Sequence, residues 1–168
     1  MDMLLEIGRF ALVLCLPIAI VLSIVPLWGA QTGRAALMST AGVLSTALWL
    51  LLLFAFLVLT RAFLQDDFSV NLAASHSNTA LPYYYKISAV WGNHEGSLLL
   101  WALILASWTF AVAQLSKGLP QDIRASVLSV LGMISVGFLA FILFTSNPFE
   151  RNLLNPPFDG QDLNPLLQ

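Results

Sequence analysis

Four long apolar runs divide the chain, at residues 10–28, 35–60, 97–115 and 125–145, and none holds Asp, Glu, Lys, Arg or His. A helix needs about 20 mostly apolar residues to cross a hydrocarbon core roughly 30 Å thick. Each run is long enough. Lipid offers the bare backbone no hydrogen bonds, so each run is predicted to be an α-helix. The expected fold class is therefore an all-α integral membrane protein. It has four transmembrane helices, a structured periplasmic loop at about 61–96, a short interfacial helix and an outer tail at about 146–168. A cleaved leader is the rival reading of the first run. Its start is net negative, with Asp2 and Glu6 against Arg9, and the bulky Trp28 stands where a cleavage site before Ala30 needs a small residue. A retained helix is the better reading.

Composition supports the same picture. Hydrophobic residues make up 58% of the chain and charged ones 10%, against about 25% charged in a soluble domain. Mean hydropathy is +0.83. A net charge of -2 points away from nucleic acid. Cys15 is the one cysteine, so no internal disulfide forms. Within an apolar run it reads as a buried thiol.

Charge suggests an orientation. The two short connections hold Arg34, Lys117 and Arg124 against one acid, Asp122. Placing them in the cytoplasm, as basic short loops prefer, puts the N-terminus, the long loop and the tail together on the periplasmic side of a bacterial inner membrane. Within the spans, Ala125, Ser129, Gly132, Val136 and Ala140 form a narrow face of mostly small residues, to which Gly137 adds, and Ser39, Gly42, Ser45 and Thr46 form a second small face. Such faces let helices approach closely, with a substrate groove as the alternative. Pro17 predicts a bend in the first span.

The long loop carries most of the sequence's specificity. Pro82 suits the start of a short helix. Tyr83, Tyr84, Tyr85, Lys86 and Trp91 suit the headgroup layer, either as anchors or as an aromatic platform for a flat ligand. Trp91, Gly92, Asn93, His94, Glu95 and Gly96 follow, directly before the third span. Two glycines there permit a tight turn or a close backbone approach, and Glu95 sits well at a helix N-terminus. The bland account of this motif is a capped start of the helix. Further on, Trp101 and Trp108 share one face of the third span.

Catalytic and metal-binding patterns are not found in the sequence. His76 and His94 lie 18 residues apart in one loop, with no cysteine nearby, which is not metal-ligand spacing. No titratable group lies within the spans, where ion-coupled transporters usually place one. Bis-histidine haem within a bundle would need histidines on the helices.

The stretch Ser75-His76-Ser77-Asn78-Thr79-Ala80-Leu81-Pro82-Tyr83-Tyr84-Tyr85-Lys86 and the stretch Trp91-Gly92-Asn93-His94-Glu95-Gly96-Ser97-Leu98-Leu99-Leu100-Trp101 resemble the CcmF family of cytochrome c-type biogenesis proteins. So do Ser146-Asn147-Pro148-Phe149 and the tail from Asp159 to Gln168. A relative serving nitrite-reductase maturation would look alike over this region. The resemblance implies a haem lyase component that receives haem from a periplasmic haem chaperone. With other cytochrome c maturation subunits it attaches haem to apocytochrome c through thioether bonds. It implies haem in the full-length protein, held by histidines that map onto no residue here. This chain is then expected to be an N-terminal membrane segment, inactive alone and holding no haem by itself. It would have membrane lipid and maturation subunits as partners, no catalytic residue and no metal site. Trp91 to Gly96 are its candidate cofactor-facing residues, and no ligand role carries over to His94. The rival readings are a transporter segment and a purely structural assembly subunit.

Overall fold

The computed structural model describes residues 3–152 and 157–161. The end of the resembling tail, residues 162–168, lies outside the described residues. Six helices are present among those described: α1 Met3–Thr32, α2 Ala35–Leu64, α3 Asn71–His76, α4 Tyr83–Ala89, α5 His94–Leu115 and α6 Gln121–Phe144. Four of them, α1, α2, α5 and α6, are long and apolar enough to cross a membrane.

The long helices outlast the apolar runs. α1 and α2 have 30 residues each, about 45 Å at 1.5 Å per residue, against a hydrocarbon core of roughly 30 Å. The additional turns carry charge: Glu6 and Arg9 on α1, and Arg61 on α2. Apolar residues mark where lipid lies, whereas backbone hydrogen bonding continues into the headgroup layer. α6 begins at Gln121 rather than near 125 because Pro120, with φ -51° and ψ 138°, turns extended chain into helix. α1 runs unbroken through Pro17 and Pro26.

α1 packs on α2 and α6, α2 packs on α5, and α5 packs on α6, so neighbours in the chain are neighbours around the bundle. The α1–α2 hairpin is tight. Gly33 takes φ +68°, and a Cβ on Gly29 would stand 2.8 Å from the backbone nitrogen of Met38. The small face of α6 is a packing face over Ala125, Ser129 and Gly132, all buried. A Cβ on Gly132 would stand 3.0 Å from the nitrogen of Ser23 on α1. Gly137 does not share that face, since nothing lies within 4 Å of its Cβ position. Between α2 and α5, Trp49 stacks on Phe110 with centroids 4.7 Å apart and donates its indole N–H to Ser107 Oγ at 3.1 Å. That bond satisfies the one polar group of a ring otherwise suited to an apolar interior. Trp101 and Trp108 both face outward.

Candidate functional site

Residues 65–93, the segment after α6 and the start of α1 meet at one end of the bundle. The resembling motif forms the joint between α4 and α5. Asn93 is the N-cap of α5: its Oδ1 accepts the Gly96 N–H at 2.7 Å, and its Nδ2 donates to the Ala89 carbonyl at 2.8 Å. One buried amide thus closes the end of α4 and opens α5. The turn is so close that a Cβ on Gly96 would collide with the Val90 carbonyl oxygen. Gly92 has no such constraint, because its Cβ position lies 3.5 Å from the nearest atom. Trp91 is exposed beside it.

Two ion pairs pin this end. Lys86 Nζ reaches both carboxylate oxygens of Asp66 at 2.6 Å, and Lys86 is only 7% exposed. Lys86 is therefore not a headgroup anchor, as the sequence suggested, but a buried partner. The half-turn of α4 that exposes Tyr83, Tyr84 and Tyr85 carries Lys86 inward. Asp66 holds its position with φ 54°, a region that Asp tolerates better than most residues. Arg151 donates to Glu6 Oε1 at 2.7 Å and to Ser69 Oγ at 3.0 Å, joining the start of α1, the loop and the segment after α6. Backbone pairing reinforces the junction. Val70 and Arg151 form an antiparallel bridge. The Asn71 N–H donates to the Glu150 carbonyl at 2.9 Å, and the Asn152 N–H to the Ser69 carbonyl at 2.8 Å.

Further along, Asp159 lies over residues 74–79. Its carboxylate accepts the Thr79 N–H at 3.0 Å and the Thr79 hydroxyl at 2.9 Å. The Thr79 backbone N–H, then its hydroxyl, hold the Asp159 carboxyl below its ordinary value. The Gln161 N–H adds a bond to the Ala74 carbonyl at 2.7 Å.

The candidate residues thus divide. Asn93 and Gly96 form the joint. Glu95 lines a cleft of about 100 Å³ with His76, Asn71, Ser75, Asn147 and Glu150. His94 lies on the exposed side, with Nδ1 3.3 Å from Ser146 Oγ and its ring edge-on to Phe141 at 6.1 Å. Trp91 and Gly92 are exposed and do not line that cleft. The cleft beside His76 is too small for a haem. That cleft is far smaller than the roughly 300–1,000 Å³ of pockets that hold small organic ligands, and His76 Nδ1 lies 3.2 Å from the Leu72 carbonyl. No step through haem is assigned to this chain's residues. Sequence reasoning did not find the pairs Asp66–Lys86 and Glu6–Arg151. The only signal available was opposite charge on segments far apart in sequence.

Known proteins are similar to this chain over nearly its whole length. A family model described as cytochrome C assembly protein matches residues 91–168. The cytochrome c-type biogenesis protein CcmF of Escherichia coli (strain K12) is 55% identical over 163 residues, covering 97% of this chain and 25% of the relative. That of Pseudomonas aeruginosa is 58% identical with the same coverage of 97% and 25%. The chain belongs to the CcmF family. It spans about a quarter of the length of the curated relatives it matches. A solved structure titled cytochrome c heme lyase CcmF superposes with a TM-score of 0.81 at 27% identity, covering 89% of this chain and 25% of that one. Family membership and the four apolar helices make this a multi-pass membrane protein. The resemblance read from residues 75–101 and from the tail thus agrees with whole-chain similarity.

Proposed function

We propose that this chain is the N-terminal membrane segment of a cytochrome c haem lyase. In the longer protein it supplies the rigid outer rim beside which haem passes to apocytochrome c. The carrying observation is the interlocked loop end. The residues that resemble the family most specifically are the ones that cap α5, join α4 to it and expose Trp91 with three tyrosines. The N-terminus, loop and tail are bound to one another, and the opposite connections are short and basic. We therefore place the loop end in the periplasm of a bacterial inner membrane, where a haem chaperone and apocytochrome c have access. This segment contributes positioning rather than catalysis. The haem-ligating histidines are assigned to the remainder of the protein.

The test is cytochrome c maturation in a strain lacking the endogenous protein and complemented with the full-length protein carrying this segment. Trp91→Ala and Asn93→Ala should each lower covalent haem in apocytochrome c, read by haem staining, with the membrane level of the protein measured alongside. Full maturation by both variants at normal protein level would favour a structural subunit or a transporter segment instead.

A further inference from the structure

At the opposite end of the bundle a half-buried cation has no ion-pair partner among the described residues. Arg124, in the first turn of α6, crosses toward α2. Its Nε is buried and has no hydrogen-bond partner, and Arg124 appears in neither ion pair among the described residues. Arg151 Nε at the loop end is also buried without a partner, but the rest of its guanidinium is held by Glu6 and Ser69. No carboxylate meets Arg124 among the described residues, and a buried polar group left so is uncommon. The guanidinium stands where two spaces meet. One is a small recess of about 120 Å³ toward Met38 and Gln121. The other is a groove of about 440 Å³ along the outside of α2.

That groove is amphiphilic along its length. Ser39, Gly42, Thr46 and Gln114 surround Arg124, and Val43, Ala47 and Leu50 continue it toward the middle of the membrane. Gly42 keeps the wall low beside the guanidinium, since its Cβ position is 3.5 Å from Arg124 Nη2. Seven residues separate Ala35, where α2 starts, from Gly42, about 10 Å of helix. The charge therefore lies near the boundary between headgroups and acyl chains. Arg34 and Lys117 stand at the same end, with Asp122 as the one acid there.

The geometry points to a site for one anionic phospholipid, its phosphate on Arg124 and an acyl chain along Val43, Ala47 and Leu50. A guanidinium makes short, paired hydrogen bonds with a phosphate. A basic membrane face also selects anionic lipids. A zwitterionic lipid brings a cation that this end repels, and a free phosphate leaves the apolar half of the groove uncovered.

Native mass spectrometry tests this site with the protein in neutral detergent, titrated with dioleoylphosphatidylglycerol or dioleoylphosphatidylcholine. Phosphatidylglycerol should be retained about tenfold better than phosphatidylcholine, in line with one lost charge-assisted contact of about 1.4 kcal/mol. Arg124→Gln should remove that preference, with helicity by circular dichroism unchanged. Arg124→Lys should keep part of it, and Gly42→Leu should lower retention without changing charge. Excess inorganic phosphate should not displace the lipid. Equal retention of the two lipids by the unmodified protein overturns the proposal. So does full retention by Arg124→Gln, or displacement by phosphate alone. The comparison of lipids on the unmodified protein stands even where a variant fails to fold.

Discussion

The two ends of the bundle satisfy their charges in opposite ways. At the loop end Lys86 meets Asp66 and Arg151 meets Glu6, with Arg151 Nε and Ser77 Oγ left without a hydrogen-bond partner. At the other end the chain turns through two short connections, and Arg124 lies half-buried with no ion-pair partner among the described residues. One end holds Lys86 and Arg151 in ion pairs with its own carboxylates, and the other leaves Arg124 facing a groove. The contrast shows where a membrane bundle spends its polar side chains. The loop end must hold a long connection in a fixed shape, whereas the hairpin end needs only to turn.

The largest test of the contrast is Asp66→Asn. The amide keeps the side chain's size and its tolerance of φ 54° but removes the charge. Lys86 is then a buried cation without a counter-charge. Losing one partner of a buried pair typically costs about 3–5 kcal/mol. Unfolding in mixed detergent micelles, followed by circular dichroism, should show a loss of that order. Combining it with Lys86→Met should recover most of it, because the unpaired charge is gone. An unchanged midpoint for Asp66→Asn alone would mean that the loop end does not rest on this pair.

The second test compares neighbours within the motif. Gly96→Ala drives a Cβ into the Val90 carbonyl. The backbone must shift and the Asn93 cap must loosen, at about 1–3 kcal/mol. Gly92→Ala meets only ordinary contact and should fall within about 0.5 kcal/mol of the unmodified protein. Amide hydrogen exchange at the start of α5 should separate the two variants. Equal protection in both would show that the turn is looser than its geometry.

Much of this fold was legible in the sequence, because lipid makes a blunt demand. Twenty apolar residues without charge have one satisfactory conformation, so 97–115 and 125–145 announce α5 and α6. The ends were less legible. Helical hydrogen bonding continues past the hydrocarbon, and only local punctuation such as Pro120 fixes where it begins. At the candidate site, the two glycines and Glu95 announced a tight helix start. They did not say that Asn93 is the cap, nor that Gly96 is the indispensable glycine and Gly92 the dispensable one. That difference depends on where the Val90 carbonyl points. Lys86 was misread because three flanking tyrosines suit the interface, and the turn that exposes them carries the lysine inside. Long-range pairs such as Glu6–Arg151 depend on tertiary closure and leave no local trace.

A smaller effect is expected at the hairpin end. Arg124→Gln removes no ion pair among the described residues. In neutral detergent without added lipid, its unfolding midpoint should shift by no more than about 0.5 kcal/mol. A large loss there would indicate an internal partner and erase the contrast between the ends.

The smallest effect concerns how firmly the tail at Asp159 is attached to the loop. Its exposed carboxyl titrates below the ordinary 3.8, chiefly because the Thr79 N–H and hydroxyl stabilise the charged form. A lowered folded value means that the contact contributes above the ordinary carboxylate pKa. The contribution fades as pH falls through the lower value, and near neutral pH it is fully present. Exchange of the Thr79 amide, compared with an amide inside α5, should therefore stay protected down to mildly acidic pH and lose protection below the ordinary carboxylate range. Asp159→Asn should flatten that dependence while leaving Lys86–Asp66 and Arg151–Glu6 intact. An Asp159→Asn protein with the same acid-dependent loss would assign the effect to another carboxylate of the loop end. The tail would then be held by its backbone bond from Gln161 to Ala74 alone.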